Sequence, residues 1–192
     1  MATDLNFVGI IGNNSTQSTN RTLMHYIAKH FADQAEIEVF EIRDIPPFKV
    51  SDDKIPPAEL RPLMEAIEAS DGVVIATPEY DHTVPAALKS VLEWLSWTSE
   101  VLRWKPVMIS GASYGRLGTS RAQDHLRQIL TSPFIQARVL APQFLLGDSL
   151  QAFDNNGDLI KESDITELDS VWSRFMIFTQ LVKSVEGKEV AQ

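Results

Sequence analysis

The densest run of polar ligand-type side chains is Gly12-Asn13-Asn14-Ser15-Thr16-Gln17-Ser18-Thr19-Asn20, with four hydroxyls and three asparagines in nine residues. The apolar run Leu5 to Gly12 precedes it. Leu23, Met24, Ile27, Ala28 and Phe31 follow at helical spacing. A loop in that position feeds a helix N-terminus, whose unpaired N–H groups and positive dipole end attract an anion. The chemistry that suits such a run of hydroxyls and amides is phosphate binding. The run has one glycine and no G-x-x-x-x-G-K-[ST], which favours a single terminal phosphate over a pyrophosphate or triphosphate. Simple capping by Ser18 in a solvated loop accounts for the same residues.

Two further loops invite a ligand. Thr77-Pro78-Glu79-Tyr80-Asp81-His82-Thr83-Val84-Pro85 is bracketed by prolines that restrict φ, so its backbone donors and Tyr80 are held rigidly enough to meet a flat heterocycle. Gly111-Ala112-Ser113-Tyr114-Gly115-Arg116-Leu117-Gly118-Thr119 has glycines that permit close backbone approach, with Tyr114 and Arg116 at the mouth. Each also reads as an ordinary turn. Taken together, a phosphate cradle beside two loops fitted to a planar ring suggests a mononucleotide.

These loops need a scaffold that brings strand ends together. Gly72 to Thr77 and Pro106 to Gly111 are short apolar runs, as in strands buried on both faces, while Glu36 to Ile42 alternates. Helical stripes lie between them: Leu60, Leu63, Met64 and Ile67; Val84, Leu88, Val91, Leu92 and Leu95 after Pro85; Leu126, Ile129 and Leu130. A fifth strand is expected within Ala137 to Leu146. A last helix is expected from about Ser163 to Val185, with Ile165, Leu168, Trp172, Phe175 and Leu181 facing inward. The alternation predicts an α/β, doubly wound, five-stranded parallel sheet with helices on both faces, as one domain over 1–192. Ligands of such sheets sit beyond the carboxyl ends of the strands, where all three loops fall.

Composition narrows the function classes. There is no cysteine, so no disulfide or thiolate metal site, and His25, His30, His82 and His125 are too scattered for a metal. A net charge of −9 argues against nucleic-acid binding. No apolar run reaches the ~18 residues of a bilayer span. With no signal-peptide pattern at the N-terminus, a cytoplasmic protein is expected. Trp94, Trp97 and Trp104 suit a homodimer or homotetramer interface, although core packing serves Trp94 equally well.

Pro78-Glu79-Tyr80-Asp81-His82-Thr83-Val84-Pro85-Ala86-Ala87-Leu88-Lys89-Ser90 resembles the P-E-Y-N-x-x-x-P-x-x-L-K-N signature of the NADPH-dependent FMN reductase family. Gly111 to Ala122 looks like that family's second glycine loop, and Phe153 to Gly157 is similar to a turn near its end. The resemblance implies a flavodoxin-like fold with strand order 2-1-3-4-5, and FMN with NADPH or NADH. It implies ping-pong hydride transfer to a small-molecule electron acceptor such as a flavin, quinone or azo compound. It places Ser15, Thr16, Ser18 and Asn20 around the phosphate, Pro78, Glu79, Tyr80 and Asp81 along the ring, and Ser113 and Gly115 near the ring or the nicotinamide. No side chain is assigned an acid or base role. Asn13 and Ser15 stand where the family's G-S-x-R-x-x-S-x-N loop has serine and arginine, which removes a cation worth about 1–3 kcal/mol. Asp81 replaces an asparagine. A flavodoxin-like electron carrier and a non-enzymatic flavin-binding regulator are the alternatives; the T-x-T-G-x-T loop expected of the carrier is absent.

Overall fold

In the computed structural model, which describes residues 5–189, strands and helices alternate from β1 (Asn6–Ile11) through α1 (Thr19–His30), β2 (Glu36–Glu41), α2 (Arg61–Ala69), β3 (Gly72–Ala76), α3 (Ala86–Thr98), β4 (Pro106–Ala112) and α4 (Ser120–Leu130) to β5 (Arg138–Val139), β6 (Phe144–Leu146) and α5 (Glu162–Glu189). All pairings are parallel, in the order β2-β1-β3-β4-β5, with β6 also on β4. Side chains alternate across the sheet with the pleat. Phe7, Ile11, Val74, Ala76 and Met108 face a core closed by α1 and α5. Val8, Ile10, Val73, Ile75, Val107 and Ile109 face a second core closed by α2, α3 and α4. Burial on both faces explains why β1, β3 and β4 read as continuous apolar runs.

The expected fifth strand is two pieces. Val107 pairs with Val139 and Ser110 with Phe144, so three steps on β4 face five on its neighbour. Pro142, which has no N–H for a ladder, lies in the excess. Arg127 on α4 holds the bulge by donating to the carbonyls of Leu140 and Ala141, both at 2.9 Å.

Two other expectations change. Leu181 is 60% exposed rather than inward. The buried stripe of α5 runs Leu168, Trp172, Phe175, Thr179. Leu181 is two residues beyond it, about 200° around the helix. The tryptophans are spent within the chain. Trp94 Nε1 donates to the Pro46 carbonyl at 2.9 Å, and Trp97 Nε1 to that of Ser51 at 3.0 Å. Phe48 packs edge-on against both rings, and the Arg138 guanidinium lies 4.3 Å over Trp104. Trp94 and Trp97 staple the irregular proline-rich segment to α3, Trp104 stacks under Arg138, and none of the three gives an argument for an interface.

Candidate functional site

The three loops converge at the carboxyl edge of the sheet around an open cleft of about 530 Å³, within the range of small-molecule sites. Asn13, Ser15, Ser18, Asn20, Pro78, Glu79, Tyr80, Ser113, Tyr114 and Gly115 all line it. Thr16 and Asp81 are not among its lining residues: Thr16 is exposed on the loop, and Asp81 borders a neighbouring depression with Thr83, Lys89 and His125.

The first loop is shaped by its own polar groups. Ser18, extended at φ −153°, caps α1 by accepting from the Arg21 N–H. The buried Asn13 amide donates to the Ser18 hydroxyl at 2.6 Å, and its carbonyl oxygen accepts the Ser15 N–H at 3.1 Å. The N–H groups of Thr19 and Asn20, in the first turn, have no intrahelical acceptor and project from the helix end. Asn20 has another job. Its side chain exchanges two 2.8 Å bonds with the backbone of Ala112, tying α1 to the end of β4. Those two bonds use one N–H and the oxygen of the amide, so Asn20 shapes the cradle while still lining the cleft.

The second loop contains a two-residue hairpin. Tyr80 and Thr83 exchange N–H···O bonds at 3.0 and 2.9 Å, and Asp81 and His82 between them both have positive φ, 49° and 62°. Two left-handed residues in succession define a type I′ turn, where asparagine or aspartate fits best at the first position. That is a conformational reason for Asp81, while Pro78, Glu79 and Tyr80 line the cleft itself. Glu79 reaches across to the third loop. Its carboxylate accepts from the N–H groups of Arg121 (3.1 Å) and Ala122 (3.4 Å) and pairs with the Arg121 guanidinium at 2.6 Å. It thereby caps α4, which lacks a cap of its own. Burial opposes ionisation of Glu79, but the hydrogen bonds from Arg121 and Ala122 outweigh it and hold the carboxyl below its usual range.

The third loop is held by close packing. A Cβ on Gly111 would fall 1.9 Å from Thr119 Oγ1 and 2.5 Å from the Thr77 carbonyl oxygen. Thr119 itself sits at φ 67°, a left-handed conformation that is costly for a β-branched residue. Gln123, fully buried, fixes it with bonds to the Thr119 hydroxyl and to the carbonyls of Gly118 and Phe144. A fourth segment, after β6, completes this wall. The Ser149 N–H donates to the Ser113 carbonyl, the Asp148 N–H to that of Gly115, and the Ser149 hydroxyl lies 2.9 Å from that of Thr19. Sequence reasoning missed Thr19, Thr119, Arg121 and Ser149. Thr19 directly follows the N-cap and was within reach of capping rules; Ser149 arrives by a tertiary path with no local signal.

Projecting N–H groups and hydroxyls at one end of the cleft, and the loops carrying Tyr80 and Tyr114 at the other, fit an anionic tail and a planar head. Fold and cleft together define a flavodoxin-like mononucleotide-binding domain. The chain belongs to the NADPH-dependent FMN reductase family, whose model matches residues 5–151. It is 51% identical to the NADH:(hydroxy)cinnamate reductase subunit CrdA of Vibrio ruber, covering 93% of this chain and 89% of that protein. It is 41% identical to the NADH-dependent flavin reductase subunit 2 of Lactobacillus johnsonii, over 92% and 98%, and 34% identical to a quinone reductase of Escherichia coli, over 95% and 100%. In fold it is similar to the flavoenzyme NAD(P)H:(acceptor) oxidoreductase FerB of Paracoccus denitrificans, with TM-score 0.71 and 23% identity over 94% and 98%. The protein is an NAD(P)H-dependent, FMN-containing oxidoreductase, and the electron-carrier and regulator readings fall away.

Proposed function

We propose that Ser15, Ser18 and the N-terminal N–H groups of α1 hold the FMN phosphate, with Asn13 and Asn20 shaping the cradle. Pro78, Glu79 and Tyr80 border one side of the ring, and Ser113, Tyr114 and Gly115 the other. Bound FMN supplies the site for hydride acceptance and delivery. The chain's own groups bind, orient and shield. The Glu79 N–H faces the ring edge, since those of Thr77, Tyr80 and Thr83 are bonded within the fold, Tyr80 and Tyr114 wall its faces, and Glu79 stays ionised so that the two ring loops remain clamped. No side chain is given a proton-transfer role. The observation that carries this reading is one open cleft shared by the α1 N-terminus and both ring loops. NADH or NADPH and a small acceptor, a quinone or flavin by the names of the relatives, would use the open mouth in turn.

The chain acts as a homodimer or homotetramer in the cytoplasm, where NAD(P)H is regenerated, without nucleic-acid or membrane partners. Support for self-association comes from large exposed apolar side chains, among them Tyr114, Leu117 and Leu150 near the cleft and Ile177 and Leu181 on α5. A second reading makes it the cofactor-reducing subunit of a two-polypeptide reductase, which the word subunit in two relatives' names favours. Purified protein is expected to be yellow or to quench added FMN, and mixing with NADH or NADPH is expected to bleach the flavin within the turnover time. A colourless protein that leaves FMN fluorescence unchanged at saturating concentration defeats the cofactor assignment. Rapid bleaching followed by reoxidation by quinone only when a second polypeptide is present selects the subunit reading.

A further inference from the structure

The phosphate loop lacks a cation of its own, yet two guanidinium groups converge on it from outside. Arg21 Nη2 donates to the Ser15 carbonyl at 2.8 Å and Arg21 Nη1 to the Thr16 carbonyl at 3.3 Å. Arg43, just beyond β2, donates to the same Ser15 carbonyl at 3.2 Å. Arg21 is in turn braced by Glu41 on β2, through Nε to Oε1 and Nη2 to Oε2. Arg43 forms no ion pair among the described residues.

We infer that Arg21 and Arg43 are positioning residues for the FMN phosphate, acting through the loop backbone rather than by contact. A trans peptide holds its C=O and N–H antiparallel. Drawing the Ser15 and Thr16 carbonyls outward to the arginines therefore turns the N–H groups of Thr16 and Gln17 the opposite way, to the side on which Ser15, Gln17 and Ser18 line the cleft. Neither N–H has an acceptor within the chain among the described residues. Two oriented donors then join those of the helix end, and Arg21 and Arg43 against Glu41 leave one net positive charge behind the loop. The cation has been moved from inside the cradle to its outer wall, where it organises the donors without filling the space the anion needs.

This rests on the FMN placement proposed above, and the test separates the two. FMN and riboflavin, which lacks the phosphate, are titrated by fluorescence quenching against wild type, Arg43→Met, and Arg21→Met/Glu41→Gln, which removes the brace without leaving Glu41 bare. Arg43→Met is expected to weaken FMN about tenfold and the double variant further, the scale of a charge-assisted hydrogen bond, with riboflavin affinity within about twofold of wild type. The salt dependence of FMN affinity is expected to flatten in Arg43→Met. Adding Ser15→Arg to Arg43→Met is expected to restore FMN affinity. Equal losses for FMN and riboflavin mean a merely structural role and overturn the inference, as does unchanged FMN affinity in both variants. Wild type that binds neither flavin overturns the FMN placement instead. Arg43 is exposed, so its variant is expected to fold; circular dichroism checks this.

Discussion

The two ends of the cleft are built on different principles. The phosphate end is a mostly polar loop held by reversible, partly exposed contacts: Ser18 on α1, Asn13 on Ser18, Arg21 and Arg43 on carbonyls, Glu41 behind them. The ring end is fixed by shape: a type I′ hairpin, a glycine with no room for a methyl group, a left-handed threonine, and a carboxylate capping a helix. The hydrogen bond from Arg21 raises its pKa and lowers that of Glu41, but Glu41 is 40% exposed, so solvent and salt screen the pair. The Glu79 side chain is only 9% exposed, although its partner Arg121 is 45% exposed and opens that pair to solvent on one side. One end is electrostatic throughout; the other combines tight steric fit with a single ion pair. Phosphate affinity should therefore respond to ionic strength, and ring geometry to packing.

The sharpest way to break this contrast is at Gly111. Gly111→Ala puts a methyl group into Thr119 and the Thr77 carbonyl. It is expected to cost about 3 kcal/mol, a fall in Tm of roughly 6–12 °C at this chain length. A thermal scan showing no change would mean that the ring end is plastic. Next comes Glu79→Gln, expected to cost about 1 kcal/mol at pH 7 through the weakened cap. Folding holds the Glu79 carboxyl below its ordinary value near 4.5, so its contribution is complete above that pH and is lost as pH falls through the lower folded value. Urea titrations at pH 7 and pH 3 should therefore show the wild-type advantage shrinking at acid pH. A constant difference would exclude a charge-dependent clamp.

At the phosphate end, Ser18→Ala is expected to cost about 1 kcal/mol of stability and to loosen FMN. Thr16→Ala, whose side chain lies outside the cleft, should change neither stability nor FMN affinity by more than about 0.5 kcal/mol. Equal effects of the two in calorimetry and flavin titration would erase the distinction between cap and spectator. The smallest effect is expected at the hairpin. His82→Gly relieves a left-handed residue and should raise stability by about 0.5 kcal/mol, with the NADH-dependent rate unchanged.

What could be read in advance follows the range of the interactions. Buried strands, helical stripes and the sheet class are local patterns, and β1, β3 and β4 announce themselves in a few residues each. The three loops were legible because they lie at strand ends of a doubly wound sheet, and the P-E-Y segment named the family. The rest depended on partners distant in sequence. Asn20 reads as a phosphate ligand by type, and its bonds to Ala112, 92 residues on, add a strut that no local pattern shows. Asp81 reads from sequence as a carboxylate beside the ring, and the hairpin adds a second reason for it, since both turn residues have positive φ. Arg43 lies 28 residues beyond Ser15, and only the fold brings it there. The split of the outer strand needed the register against β4, although Pro142 was a visible hint.

That split has a bearing on how the protein survives at high concentration. The outermost rows of a sheet carry unsatisfied backbone groups that can recruit another molecule into endless stacking. One margin offers only two residues and then three, broken by a proline-containing bulge, too short a template for a stranger to zip onto. The opposite margin carries three exposed glutamates in six residues, and two such margins meeting would repel. Both flanks are blunted by different means, so filling in the bulge to make a continuous strand would invite fibrils.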